Sequence, residues 1–300
     1  MNELSAVIMD IDHFAVHDGP GIRTSIFFKG CPLRCAWCHS PESQSALPQV
    51  LYTAARCICC GKCVGVCPKK LHRVDREGHV FSQDECDSCG ICVKACPRNA
   101  LNMGGKERPL EEVLEEAVSD EVFFRHSGGG VTLTGGEVLM QGAFVTRLLS
   151  EIKKRDIHTI VETSGSGSTE YLLSFADSAS LFYYDFKLAD PDKFRSYIGP
   201  NPDLIWNNLE QLRRKTASIV LRLPLIPAIT DNEENITALY KLAGELKLSH
   251  VHLLPYNYSA GAKYEWLGKA YPLVHLEKAV QSPEEFLKLD HGNITVEIIK

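Results

Sequence analysis

Three hundred residues, 44% of them hydrophobic and 23% charged, describe a globular chain of one large domain or two with room for a substantial core. The net charge of -6 argues against a nucleic-acid binder. No stretch approaches the roughly 18 unbroken apolar residues of a membrane span, since the best run, 219–229, is interrupted by Arg222, Pro224 and Pro227.

The first residues carry Glu3, Asp10 and Asp12 in place of a basic stretch ahead of an apolar one. No secretory signal is therefore expected, and the expected location is cytoplasmic. Short strands are predicted at 7–9 and 24–28, around the loop Asp18-Gly-Pro-Gly-Ile-Arg23, whose glycines allow backbone to approach a ligand closely. Three cysteines follow, Cys31, Cys35 and Cys38, spaced x3 and x2. Four thiolates per iron–sulfur cluster is the normal count, so three together predict a [4Fe-4S] cluster with one iron left for another ligand. A zinc knuckle, which usually has four closed ligands, or buried thiols are the plainer alternatives. After His39-Ser-Pro-Glu42 the polar stretch to Pro48 reads as a linker into a separate unit.

All twelve cysteines lie between Cys31 and Cys96. In a reducing cytosol they cannot be a disulfide framework, and packing cysteines would be scattered, so metal binding is expected. Cys57, Cys60, Cys63 and Cys67-Pro68 are repeated 29 residues later as Cys86, Cys89, Cys92 and Cys96-Pro97. This is the bacterial ferredoxin run, whose fourth cysteine ligates the other cluster. Cys57, Cys60, Cys63 and Cys96 are thus expected on one cluster, and Cys86, Cys89, Cys92 and Cys67 on the second. Zinc ribbons do not use this spacing twice, and Cys59 fits neither register. The expected domains are 1–49 with 106–300, and an insertion over 50–105.

The remainder alternates helix and strand. Pro109 opens a helix carrying Leu110, Val113, Leu114, Ala117 and Val118 at helical spacing. Strand 131–134 follows, then a helix with Val145, Leu148, Leu149 and Ile152 on one face, closed by Lys153, Lys154 and Arg155. Next come strand 157–162, a helix near 168–179, strand 181–186, a helix near 203–215 and strand 219–223. Thr230-x-x-Glu233 reads as a capping box for a helix to Leu248, and strand 250–254 completes the series. With 24–28 this makes six strands of a parallel α/β sheet; periodicity leaves its closure open.

Ligands of such folds sit at the carboxyl ends of the strands. Those ends carry the three-cysteine loop, Thr134-Gly-Gly-Glu137, Glu162-Thr-Ser-Gly165, Asp185-Phe-Lys187, Arg222-Leu-Pro224 and Pro255-Tyr-Asn257. Taken singly each is a weak signal, a turn or a solvated pair; in succession they describe one rim. Such a rim needs a ligand with an amine and a carboxylate to chelate the open iron and a body long enough to span several strands, a description that S-adenosylmethionine fits. One electron into its sulfonium would release methionine and a 5'-deoxyadenosyl radical, chemistry that belongs to the cofactor.

The loop Cys31-x3-Cys35-x2-Cys38 with Trp37 resembles the radical S-adenosylmethionine superfamily. The longer string Asp18-Gly-Pro-Gly-Ile-Arg-Thr, Phe28-Lys-Gly-Cys and Cys38-His-Ser-Pro resembles the activating enzymes of glycyl radical enzymes. The resemblance implies a partial (β/α)6 barrel with a ferredoxin-like insertion, three [4Fe-4S] clusters and a radical placed on a backbone glycine of a partner enzyme. It implies that Gly135, Gly136 and Glu137 hold the methionine amine and that Trp37 offers its backbone to the adenine. Glu162 and Asp185 would lie near the methionine carboxylate, where some relatives place a monovalent cation. Lys187 and Arg222 would meet ribose or carboxylate, Asn257 the adenine, and Asp18 the substrate glycine loop. Val138, Glu162 and Asn257 depart from the commoner proline, aspartate and histidine of the family.

The insertion carries eight Lys/Arg against five Asp/Glu, +3 in a chain of -6. An acidic low-potential donor such as flavodoxin, or a ferredoxin, is the expected electron source, and a monomer the expected state. The rival readings are a side-chain-modifying enzyme of the sulfatase-maturase kind and a plain electron-transfer protein.

Overall fold

The computed structural model describes residues 4–216, 218–257, 259, 261–276 and 282–299, so Glu3 lies outside the described residues. In chain order the strands are β1 (Ser5–Ala15), β2 (Arg23–Phe28), β3 (Gln49–Tyr52), β4 (His72–Asp75), β5 (Gly78–Phe81), β6 (Leu101–Gly104), β7 (Lys106–Pro109), β8 (Gly130–Gly135), β9 (His158–Thr163), β10 (Leu181–Asp185), β11 (Ile219–Leu225), β12 (His250–Pro255) and β13 (Thr295–Ile298). The helices are α1 (Lys62–Val66), α2 (Ile91–Ala95), α3 (Leu110–Ala117), α4 (Glu121–Ser127), α5 (Gly142–Lys153), α6 (Thr169–Phe175), α7 (Pro191–Tyr197), α8 (Pro202–Lys215), α9 (Glu233–Glu245) and α10 (Ala262–Glu265).

The central sheet runs β13-β12-β11-β10-β9-β8-β2-β1-β7. From β2 to β13 every pairing is parallel. The six expected strands are neighbours in sequence order, which helical crossovers of one hand produce. Three further strands join the sheet, the first of them, β1, a longer form of the strand predicted at 7–9. β1 is eleven residues long and antiparallel to β2, β7 adds antiparallel to β1, and β13 extends the far edge. Among the described residues β7 and β13 do not pair, so the sheet stays open.

Alternate residues of a strand face opposite ways. Val131, Leu133, Val161, Phe182, Leu221, Leu223, Val251 and Leu253 face the helices and join Val145, Leu148, Phe175, Leu209, Leu212 and Leu239 in one core. The opposite face carries Ser25, Thr132, Thr134, Glu162, Asp185 and Arg222. Parallel sheets covered on both sides normally read as continuous apolar runs; the polar face marks where the site lies.

Two local expectations are corrected. The α9 cap is Asn232, which accepts from Asn235 N, in place of Thr230. The Thr230 hydroxyl is occupied earlier, accepting from Ile226 N and donating to Pro224 O. Nor is the stretch after Cys38 a free linker: Glu42 and Ser43 are buried, Gly30 N donates to Ser43 O at 2.7 Å and Cys31 N to Gln44 O at 3.2 Å.

Residues 49–104 are two copies of one β-α-β unit, β3-α1-β4 and β5-α2-β6, every boundary offset by 29 residues. β3 pairs with β6 and β4 with β5, both antiparallel, so the copies interlock. The unit is fixed to the domain of the central sheet at Trp266, whose carbonyl accepts from Tyr52 N at 2.9 Å and Gln83 Nε2 at 2.7 Å.

Candidate functional site

A cavity of about 410 Å³ opens at the carboxyl ends of β8 to β12. Cys31, Cys35, Cys38 and Trp37 line one side; Thr134, Gly135, Gly136, Glu162, Asp185, Lys187, Arg222 and Tyr256 line the rest. The cysteine loop is splinted from two directions, since Arg34 N donates to Ile198 O at 2.8 Å and Ala36 N to Tyr197 O at 2.9 Å. Leu33 and Trp37 anchor it, each 4% exposed. Gly135 and Gly136 are required by close approach. A Cβ on Gly135, at φ +114, would meet Phe28 backbone at 2.4 Å, and one on Gly136 would meet Gly30 O at 2.4 Å.

Burial pushes the Cys31 thiol up to about 12, with the Glu137 charge adding, and the Cys35 thiol up to about 11 against the pull of Lys187. Thiols so placed bind metal by giving up protons they otherwise keep. No fourth cysteine lines the cavity.

Opposite the thiols, four strands contribute one ionic chain. Lys187 Nζ lies 3.3 Å from Asp185 Oδ2, and Arg222 Nε 3.3 Å from Asp185 Oδ1. Arg222 Nη1 donates to Glu162 Oε1 at 2.5 Å, and Thr134 Oγ1 to Glu162 Oε2 at 2.6 Å. The guanidinium carbon lies 5.0 Å over the Tyr183 ring, a cation–π contact. Burial alone would raise Asp185, but Lys187 and Arg222 outweigh it and hold its carboxyl below the usual range. Burial opposes the charge on Arg222 as well, and Glu162 with Asp185 restore it. The result is a charged, desolvated floor whose groups are ordered by one another.

Other expected residues fall elsewhere. Glu137 is 1% exposed, and its carboxylate accepts from Thr163 Oγ1 (2.6 Å), Ser164 Oγ (2.5 Å), Ser164 N (2.9 Å) and Leu139 N (3.2 Å), behind the glycine pair. Asn257 is exposed and accepts from Ser259 N, while its neighbours Pro255 and Tyr256 line the cavity. Asp18 lies deeper along the polar face, accepting from Ser25 Oγ at 2.6 Å and, through its carbonyl, from Thr132 Oγ1 at 2.9 Å.

Two buried cations went unread in the sequence. Arg23 donates to Thr132 Oγ1 and to the Val131 and Pro20 carbonyls. Lys29 donates to Glu42 O and to Gln49 Oε1. The available signal was a charged residue at each end of the short strand 23–28, where β2 carries its ligand loops.

The insertion holds two further cysteine cavities. One is lined by Cys57, Cys59, Cys60, Cys63 and Cys96, the other by Cys67, Cys86, Cys89 and Cys92. Both repeats contribute to each: Cys96 joins four cysteines of the first repeat in one, and Cys67 joins three of the second in the other. Cys59 takes the left-handed turn position that Ser88 fills in the second copy, φ +53 and +59. Both donate backbone N–H to the first sulfur of their copy, Cys57 at 3.4 Å and Cys86 at 3.3 Å. Cys59 is thus accounted for by the turn.

Residues 25–240, which hold the three-thiol loop and the strands whose ends floor the cavity, match the Radical SAM superfamily. The trans-4-hydroxy-L-proline dehydratase activating enzyme of Clostridioides difficile is 38% identical over 95% of both chains. The choline trimethylamine-lyase activating enzyme of Oleidesulfovibrio alaskensis is 39% identical over 91% of this chain and 90% of its own. Streptococcus suis SuiB bound to precursor peptide SuiA shares the fold at a TM-score of 0.51 and 13% identity, covering 89% of this chain and 46% of that one. The chain belongs to the glycyl radical enzyme activating enzymes of the radical S-adenosylmethionine superfamily.

Proposed function

We propose that this chain cleaves S-adenosylmethionine reductively and places a radical on a backbone glycine of one partner glycyl radical enzyme. The observation that carries the reading is the three-thiol loop opening, with no fourth cysteine, onto a cavity floored by Lys187, Asp185, Arg222 and Glu162. The donor set fits a cluster with one iron free for an amine and a carboxylate. When bound, the cluster and S-adenosylmethionine supply the one-electron cleavage that yields the hydrogen-abstracting radical.

The protein's own part is orientation and exclusion of water. Gly135 and Gly136 present bare backbone to the methionine amine, and Glu137 braces that turn from behind. Lys187 and Arg222 are the cations for the methionine carboxylate and the ribose side. Both already pair with Asp185, and Arg222 pairs with Glu162; a monovalent cation beside these carboxylates would show as a change in turnover when K⁺ is exchanged for Na⁺. Trp37 backbone and the Pro255–Tyr256 wall bound the adenine end, with Asn257 at its outer rim. Asp18 and the glycine loop around it face the partner's glycine segment along the polar face.

The insertion is read as a ferredoxin-like domain with two [4Fe-4S] clusters that pass electrons inward from a low-potential donor such as flavodoxin. Support comes from the two interlocked repeats and from the cysteines around the cavities, five at the first, Cys59 included, and four at the second. Reconstituted protein should carry roughly 12 irons. Reduced protein given S-adenosylmethionine should release 5'-deoxyadenosine, and Cys35→Ala should abolish that product while roughly eight irons remain. Product from Cys35→Ala, or none from the wild type, would overturn the reading. With the right partner, a glycyl doublet by electron paramagnetic resonance completes the test.

A further inference from the structure

The 29-residue repeat lets each wall of one cysteine cavity be compared with its equivalent in the other, and the charges do not match. Ile58, Lys62 and Arg98 line the first cavity, and no carboxylate does among the described residues. Their equivalents in the other copy are Asp87, Ile91 and Lys69, of which Asp87 and Lys69 line the second cavity. Lys69 Nζ lies 3.5 Å from Asp87 Oδ2 and donates to Glu85 O at 3.1 Å, so the second wall is neutralised from within. In the turn ahead of the cysteines, Ala55-Arg56 of the first copy becomes Asp84-Glu85 in the second. Among the described residues the ion pairs of the insertion are Lys69 with Asp87 and Arg73 with Asp75, which leaves Arg56, Lys62 and Arg98 exposed and outside any pair.

The two cavities also differ in what stands behind them. Val50 walls the second, and its carbonyl accepts at 3.0 Å from Gln83 Nε2, the same group that reaches Trp266 O of the central domain. The neighbouring Gln49 accepts at 3.3 Å from Lys29 Nζ, two residues before Cys31 of the three-thiol loop. The second cavity therefore backs onto the central domain, beside the chain that leads into that loop. The first presents Ile58 to solvent, 58% exposed, among three cations. Long-range charge sets how fast an oppositely charged partner arrives at such a face, and a small contact area lets it leave. Exposed cations alone would suit any polyanion; the cysteine cavity beneath them selects a redox protein.

We propose that the face over the first cavity, Ile58 with Arg56, Lys62 and Arg98, docks an acidic one-electron carrier protein, so that electrons enter the insertion there and leave through the second cavity. The proposal rests on the two-cluster reading of the insertion and adds to it a face and a direction. Each encounter oxidises the carrier by one electron and reduces the iron–sulfur group of the first cavity by one, and no bond is made or broken. The acidic turn at 84–87 repels the same carrier from the second cavity, where like charges would meet. A charge of +3 spread evenly over the insertion would not choose between its two ends. The positions at which the copies differ make that choice.

The repeat supplies its own test substitutions. Arg56→Glu with Lys62→Ile gives the first face residues of the second, and Glu85→Arg with Asp87→Ile gives the reverse. Whole reconstituted enzyme is mixed with an acidic flavodoxin as the probe, and association is followed by flavin fluorescence over a series of salt concentrations. The first pair of substitutions should slow association about tenfold at low salt and flatten its salt dependence. The second pair should leave binding as tight as in the wild type or tighten it. Reduction by photoreduced deazaflavin, a small molecule that needs no docking face, should be the same in all three proteins. Binding that the first pair leaves unchanged, that both pairs weaken alike, or that the wild type lacks would overturn the proposal. If the substituted proteins lose iron, carbodiimide coupling of the flavodoxin's carboxylates to the wild type decides: coupling at Lys62 supports the face, and coupling at Lys94 or on the central domain alone overturns it. Coupling of Lys62 to a second copy of this chain, at the carrier's expense, would give the face to a dimer and overturn it as well. Wild-type iron near four per chain would remove the two-cluster reading itself, before the docking face comes into question.

Discussion

Arg222 joins more of the cavity floor than any other single side chain described here, since it holds Glu162 and Asp185 and covers Tyr183. Replacing it with methionine leaves Glu162 buried without its cation and Asp185 with Lys187 alone, a loss of about 3–5 kcal/mol. Denaturant unfolding should show that loss, and S-adenosylmethionine affinity should fall with it. A part-buried pair tests linkage with the opposite sign of charge. His13 Nδ1 lies 2.5 Å from Asp120 Oδ2, and that hydrogen bond raises the His13 pKa above its ordinary 6.5. Protonation is thus favoured in the folded state, so the contribution is full below the unfolded value and fades as pH rises through the folded one. Proton NMR should place the His13 midpoint above 6.5 in the wild type and lower in Asp120→Asn. Single residues also mark where the sequence was legible. Cysteine spacing gave the metal loop, and the residues that follow each strand in the helix–strand succession gave the rim, because both are properties of the chain order. The direction of a carboxylate is not, and Glu137 turns to Thr163 and Ser164 because two hydroxyls and an N–H converge there in three dimensions.

Elements with long apolar stripes were readable and short ones were not. All six parallel strands stand where alternation put them, whereas β7 and β13 have four residues each and draw their order from a neighbour already in place. The start of α9 shows the same competition at one turn of chain. Thr230 and Glu233 have capping-box spacing, yet the Thr230 hydroxyl serves the turn at 224–230 and Asn232 caps the helix. Asn232→Ala should therefore cost about 1 kcal/mol through the lost cap, seen as a lower unfolding midpoint with an unchanged slope. Thr230→Ala should cost at least as much by a different route, because it leaves Ile226 N buried without an acceptor. Equal stability of wild type and Asn232→Ala would return the cap to Thr230.

Across the whole molecule, charge and connection point the same way. The insertion is positive by three while the chain is negative by six, so an acidic donor meets a favourable patch on one lobe only. Electron delivery should slow as salt is raised toward a Debye length of about 3 Å near 1 M, and a rate indifferent to salt would argue against electrostatic docking. The partner enzyme is not written in these features, since the two relatives described are named for different dehydratase and lyase partners.

The carbonyl of Trp266 adds a last consequence. One oxygen takes a donor from each copy of the repeat, Tyr52 from the first and Gln83 from the strand-to-helix turn of the second, and Lys263 in the adjoining helix reaches Glu42 beside the cysteine loop at 2.7 Å. The lobe is pinned, not tethered. On the two-cluster reading proposed above, these contacts argue against a swing between donor and catalytic centre of the carrier-arm kind, and the gap that electrons would cross is set by the fold. Internal electron transfer should then be indifferent to solvent viscosity, and adding glycerol to a rapid-mixing reduction experiment would slow the encounter with the donor while leaving the step behind it untouched.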